Sequence, residues 1–339
     1  MMIARAAYVA LFCVAAKACA QELPMEVRNW AVCGPVLAKP FTAPALDPKL
    51  KPDCDSTADY FGIGRPVDYE AARRCAWVER AHPDPTVSNI FAGPGVLSMI
   101  YANGKGVPPD FALARRLVCE SDWAAPAETE GRLDILAQDE RTGKAQPFDL
   151  CETATSGLSE GWCASLDSRL NQVTREQKIK MIGDKLPPSA QPAFRSLRAA
   201  EGAFDDLRSS HEVDLSGTGR AAFELEEQDK LRDQFLINLQ RVIAPTYISP
   251  VPLKTADANL NATYQALRAS MPPKELTGEF TTYGTLGFDG VQKTQRAWLT
   301  LRDAWVAFVT ALHGAATPEQ VAAVITEQRA HQLKSLRLN

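Results

Sequence analysis

Past its first twenty residues, this 339-residue chain has no long apolar run. A helix that crosses a hydrocarbon core needs about 20 apolar residues in succession, so no membrane span is expected in the body of the protein. Histidine is scarce. His82, His211, His313 and His331 stand apart, and no two cysteines form a Cys-x-x-Cys pair. Metal ligation draws on such residues in groups, so neither a metal site nor a cofactor is expected. No His-Glu-x-x-His segment, Gly-x-x-x-x-Gly-Lys loop or nucleophile elbow is read from the chain, which withdraws support from the common hydrolytic and nucleotide chemistries. Basic residues are scattered, whereas gripping a phosphate backbone takes many cations on one surface. Nucleic acid is therefore not an expected partner, and the chain reads as a binding protein rather than an enzyme.

What is present begins with a leader. Arg5 precedes an apolar run from Ala6 to Ala16, and the small residues Ala18 and Ala20 complete the pattern of a secretory signal cleaved before Gln21. A lipid anchor on Cys19 is the lesser alternative, because Lys17 stands where such a signal carries a small or apolar residue. Without residues 1–20, 35 basic residues face 41 acidic ones, a net charge of −6. The expected location is periplasmic or secreted, where disulfides form. Cys33, Cys54, Cys75, Cys119, Cys151 and Cys163 survive cleavage, and all lie before residue 164. An even number in that compartment reads as three disulfides, with 15 connectivities open. The remainder of the chain must hold together by apolar packing alone.

A repeat runs through the N-terminal half. Gly62-Ile63-Gly64-Arg65-Pro66-Val67-Asp68-Tyr69-Glu70-Ala71-Ala72-Arg73-Arg74 is echoed 42 residues later by Gly104-Lys105-Gly106-Val107-Pro108-Pro109-Asp110-Phe111-Ala112-Leu113-Ala114-Arg115-Arg116. Each copy reads as a helix stopped by glycine, a proline-stiffened turn and an Asp that caps the next helix. Such hairpins bury their apolar faces only by stacking, which is solenoid logic. The Gly-x-Gly pairs do not make a dinucleotide site, since no β-branched strand precedes them and the third glycine is missing. Within a hairpin, Cys54 and Cys75 flank the turn at similar distances and can bridge it. Cys151 and Cys163 enclose a short Gly- and Ser-containing loop, and Cys33 with Cys119 then remains. Tyr101-Ala102-Asn103-Gly104-Lys105-Gly106-Val107-Pro108, with Asp110 and Ala114, resembles the Sel-one-like branch of the tetratricopeptide-like repeats. That resemblance implies a protein-interaction scaffold over roughly residues 50–125. The first copy departs from it at Arg65 and Pro66.

A second repeat occupies the C-terminal half. Asp167, Leu170 and Asn171 recur as Asp257, Leu260 and Asn261, and Ala203-Phe204-Asp205-Asp206-Leu207-Arg208 recurs as Ala297-Trp298-Leu299-Thr300-Leu301-Arg302. Amphipathic helices carrying Leu231, Phe235 and Leu239, then Leu333 and Leu336, finish the two copies. Between them, Pro245, Pro250 and Pro252 forbid a continuous helix. The segment Gln295-Arg296-Ala297-Trp298-Leu299-Thr300-Leu301-Arg302-Asp303-Ala304-Trp305 resembles the signature of the lysozyme-inhibitor LprI-like N-terminal domain family. Phe148-Asp149-Leu150-Cys151, Trp162-Cys163-Ala164, Leu166, Asp167 and Leu170 resemble its upstream part. Trp305 stands where many members carry a cysteine, and Ser209 and Ser210 follow Arg208 in place of Asp-x-Cys. Trp298 and Trp305 on one helical face read as core, and Arg296 and Arg302 as partners of Asp303, Glu327 or a helix end.

The expected architecture is all-α: a leader over 1–20, a disulfide-braced Sel-one-like hairpin domain over 21–147, and two LprI-like helical modules over 148–245 and 246–339. Ser216-Gly217-Thr218-Gly219-Arg220 is read as a Ser- or Thr-capped helix start, not an anion site. Glu224, Glu226, Glu227 and Asp229 are read as a solvated helix face. The resemblance implies a protein partner, a lysozyme, toward which an acidic chain would be steered because lysozymes are commonly cationic. Candidate contacts are Lys274, Thr281 and Tyr283, on a Gly- and aromatic-containing loop. The competing expectation is an envelope scaffold that binds another protein or a peptide through the N-terminal hairpins.

Overall fold

A computed structural model describes residues 25–51, 53–83, 89–121, 124–143, 147–246, 249, 251–273 and 283–336. The leader expected over residues 1–20 lies outside them. These residues form twelve α-helices, with no strand among them, and none of the helices is long and apolar enough to cross a membrane.

The 42-residue repeat is realised as two matching hairpins. The first joins α2 (Ser56–Phe61) to α3 (Tyr69–Ala81), and the second joins α4 (Gly93–Asn103) to α5 (Phe111–Glu120). Gly62 at φ 75° and Gly104 at φ 63° end α2 and α4 in the left-handed conformation that only glycine enters freely. Asp68 and Asp110 cap α3 and α5 by accepting from the amides of Ala71 and Leu113, each at 2.9 Å. The turns close with the same bond, Asp68 N to the Asp59 carbonyl and Asp110 N to that of Tyr101, each at 2.9 Å. Ala72 and Ala114 are wholly buried where the helices pack closely.

Successive helices stack from α2 to α6 (Pro126–Thr142), and α1 (Met25–Leu37) lies across α5 and α6. Cys33–Cys119, Cys54–Cys75 and Cys151–Cys163 are all bonded, with Cα separations of 5.4, 5.9 and 5.7 Å. The first bond clamps α1 to α5, the second braces the first hairpin, and the third closes the loop that leads into α7 (Gly157–Gly183). The core beneath holds Trp77, Phe91, Leu97, Ile100 and Leu117, and continues through Phe148 and Leu150 to Leu166 of α7. Buried Glu128 of α6 fixes that junction. Its carboxylate accepts from the amides of Thr155 and Ser156 at 2.7 and 2.6 Å and from the Ser159 hydroxyl at 2.7 Å. Burial alone would push Glu128 up, but these donors outweigh it and hold the carboxyl below its ordinary value.

With 27 residues, α7 runs about 40 Å and leaves one core for the other. Leu166 belongs to the first, and Ile179 to the second. The rest of the second core comes from α8 (Gln191–His211), α9 (Arg220–Val242), α10 (Leu253–Ser270), α11 (Phe288–Leu312) and α12 (Pro318–Ser335). The pairing is duplicated: α7 packs on α9 as α10 packs on α12, and α8 leans on α9 as α11 leans on α12. The two equivalent helices α8 and α11 then pack against each other and form the seam of a six-helix body.

Because every disulfide serves the first core, reduction should act there first. Cys33–Cys119 closes the longest loop, with a sequence separation of 86, and its loss costs about 4–5 kcal/mol in a chain-entropy treatment. Hydrogen exchange on the full chain with and without reductant should show amides of α1–α6 losing protection well before those of α8, α11 and α12. Equal loss in both regions would contradict the division of labour.

Candidate partner-binding site

The motif on α11 packs inward. Trp298, Leu301 and Trp305 recur at helical spacing and are 2%, 7% and 1% exposed, so they are core residues. The Trp305 ring lies 5.2 Å from that of Phe235 across the seam. Arg302 covers the face of Trp298 at 5.0 Å and reaches Asp257 Oδ1 at 3.4 Å and Asp303 Oδ1 at 3.9 Å. Glu327 takes no part in that set, and Arg296 and Asp303 face solvent. Gln295 has a more specific duty, since its Oε1 accepts from Arg329 Nε at 2.9 Å.

Arg329 is the centre of a buried ionic cluster. It grips Glu212 with two parallel bonds, Nη1 to Oε2 at 2.7 Å and Nη2 to Oε1 at 2.5 Å, and neither side chain has exposed surface. Arg208 adds a bond to Glu212 at 2.7 Å and binds Glu227 through Nε at 2.8 Å. Burial pushes the Glu212 carboxyl up, but Arg329 and Arg208 outweigh it and hold the group below its ordinary value. The cluster ties α8 and α9 to α11 and α12.

Residues 247–336 match the family described as Lysozyme inhibitor LprI. No curated protein and no solved structure matches the chain. The LprI segment thus spans one copy of the duplicated unit, α10 to α12, and its motif residues build framework. A lone charge in the stripe Ile325, Arg329, Leu333 was the available signal for Arg329. Its partner Glu212, 117 positions away and just past α8, left none.

Comparison of the two copies exposes a mismatch. At the offset of 94 that relates Phe204 to Trp298, Glu201 stands opposite Gln295, and Phe235 stands opposite Arg329. The first copy therefore keeps an acid where the LprI segment has an amide, but lacks the matching cation. Glu201 is 4% exposed, one oxygen accepts from Arg198 at 2.8 Å, and Oε1 has no hydrogen-bond partner among the described residues. It lines a cavity of about 40 Å³ with Asp205, Phe235 and Asn238, room enough for water. Burial pushes Glu201 up to about 8 and Asp205 up to about 7, against the opposing charges of Arg198 and Arg232.

Three local readings need correction. Contrary to the expectation of no nucleophile elbow, Gly157-Leu158-Ser159-Glu160-Gly161 does have Gly-x-Ser-x-Gly spacing. It opens α7 after a loop instead of a strand, and Ser159 is wholly buried on Glu128, so no exposed nucleophile results. Helix α9 starts after Gly219 with no side-chain cap, because the residue at the cap position is glycine and has no side chain to accept from the first amides. Of the acids assigned to a solvated face, Glu227 turns to Arg208, and Asp229 accepts from Arg175 at 2.7 Å. Buried guanidinium groups beneath α9 draw both inward.

Lys274 and Thr281 lie outside the described residues. Tyr283 is half-buried against the second core and donates its hydroxyl to Ser270 Oγ at 3.2 Å. Asp214, in the α8–α9 loop, accepts from Thr285 N at 3.0 Å and so anchors the end of the α10–α11 loop.

Two stability experiments follow. Replacing either member of the Glu212–Arg329 pair strands a buried charge, so Glu212→Gln or Arg329→Met should each cost about 3–5 kcal/mol in urea unfolding. An unchanged midpoint would contradict the central role of the pair. Glu201 and Asp205 carry raised values, so the folded chain keeps protons that the unfolded chain releases, and stability contributed at low pH is lost as pH rises through about 7 to 8. Glu201→Gln should leave stability near that of the wild type at about pH 5 and exceed it progressively toward about pH 8. A gain independent of pH would show that Glu201 does not titrate there.

Proposed function

We propose that this protein is exported, is not a catalyst, and binds and blocks a lysozyme-type glycosidase through its C-terminal helical body. The observation that carries this reading is the LprI match over α10–α12, a unit whose motif residues Gln295, Trp298, Arg302 and Trp305 are accounted for as framework. Its surface is thereby left free to meet a partner. On this reading α7–α9 is a second, diverged LprI-like module, joined to the first across the α8–α11 seam. Three disulfides suit an oxidising compartment and support export through the leader at residues 1–20. An acidic chain and a cationic glycosidase attract over distance, which favours fast association.

A second reading keeps the N-terminal hairpins as the working part. It is favoured by the hydrogen bonds repeated between the two hairpins, which fit a short Sel-one-like scaffold for another protein or a peptide.

The inhibitor reading predicts that the purified mature chain slows cell-wall hydrolysis by a lysozyme at micromolar excess, and that the effect weakens as salt screens the attraction. Undiminished turnover at that excess removes the claim for the lysozyme tested. Capture of a protein partner that charge reversal on α7–α12 leaves intact would favour the hairpins instead.

A further inference from the structure

The face between α7 and α9 carries a groove of about 630 Å³ whose floor is formed by Ala164, Ala222 and the Cys151–Cys163 bond. Glu160, Asp167 and Glu226 line it and face solvent, and Phe223, 44% exposed, stands at one side. Asp229 and Asp233 also border the groove, but Arg175 beneath them takes both at 2.7 Å. Among the described residues the one lysine on the lining, Lys230, lies 4.0 Å from Glu226, an exposed contact of little strength.

The duplication shows how the surplus charge arises. In the LprI segment Asp257 faces Arg302 at 3.4 Å. The equivalent of that pair in the first copy is Asp167 and Arg208, but Arg208 is turned away to Glu212 and Glu227. Asp167 has no ion pair among the described residues, and partial desolvation at the groove wall, together with the neighbouring Asp149 and Asp229 carboxylates, pushes it up although its side chain still reaches solvent. The groove therefore holds unmatched negative charge beside an exposed aromatic ring, the pairing that recognises a cation with an apolar neighbour.

We propose that the α7–α9 groove receives a cationic segment of the partner protein, with an Arg or Lys entering between Asp167 and Glu226 and an apolar neighbour packing on Phe223. This rests on the inhibitor reading for the identity of the partner, but it places a contact outside the segment that matches LprI.

The test uses the full chain with a lysozyme and, separately, with a short arginine-rich peptide carrying one leucine. Hydrogen exchange on the wild type should show protection over residues 160–171 and 222–233 when lysozyme is added. Asp167→Lys with Glu226→Lys should weaken binding at least ten-fold and Phe223→Ala several-fold. Asp134→Lys with Glu70→Lys, an equal change in net charge on exposed acids elsewhere, should change it less than two-fold. Because Phe223 is exposed and the exchange map needs no variant, misfolding of the charge-reversed chain does not spoil the result. If lysozyme binds and protects another surface, the groove proposal falls while the inhibitor reading stands. If lysozyme does not bind, that reading falls, and the peptide decides the groove: salt-sensitive binding lost in the charge-reversed variant supports it, and no binding overturns it. A groove occupied by a second copy, seen as a dimer that the variant splits, also overturns it.

Discussion

At the seam of the C-terminal body, the guanidinium of Arg329 and the carboxylate of Glu212 meet face to face with no exposed surface on either. Two charges this deep are tolerable only when each is fully matched, and the match here draws on four helices and the residue after α8. Gln295 orients Arg329 from α11, Arg208 shares Glu212 from α8, and Glu227 of α9 steadies Arg208. The position of α8 against α11, and with it the shape of both three-helix units, is tied to this cluster. A buried pair of this kind is a better specifier of arrangement than a source of net stability, because apolar residues would fill the same space at lower desolvation cost.

The duplication has been used asymmetrically. Where the LprI segment keeps Gln295 with Arg329 and Asp257 with Arg302, the first copy has Glu201 without a cation opposite and Asp167 deprived of Arg208. One of these acids is interior, held by Arg198 through one oxygen only. The other faces solvent and leaves a negative groove. Both follow from the diversion of Arg208 to the seam and the presence of Phe235 at the position of Arg329, so the same substitutions that join the copies also distinguish their surfaces.

Local chemistry was legible in the sequence, and long-range partnership was not. Gly62, Gly104, Asp68 and Asp110 announce their hairpins because stopping and capping a helix concern only neighbouring residues. The cysteine pairings followed from those hairpins and from the shortness of the loop between Cys151 and Cys163. The inward face of Trp298 and Trp305 was equally plain from helical spacing. Glu128, Glu212 and Arg175 carry no local mark, since an acid or arginine on a helix is ordinarily solvated and is recognised as buried only once its partners are in place.

Framework and surface thus divide the C-terminal body: the LprI motif residues hold the helices, and the proposed recognition is assigned to the faces they support, since function resides in particular sites rather than in a fold. The N-terminal hairpins, braced by two disulfides and joined to α7 through Glu128, form a second face and are the site of binding in the competing proposal. Cross-linking mass spectrometry on the full chain mixed with a lysozyme discriminates between the two directly. Cross-links confined to α7–α12 are the predicted result, and cross-links concentrated on α2–α5 would contradict it.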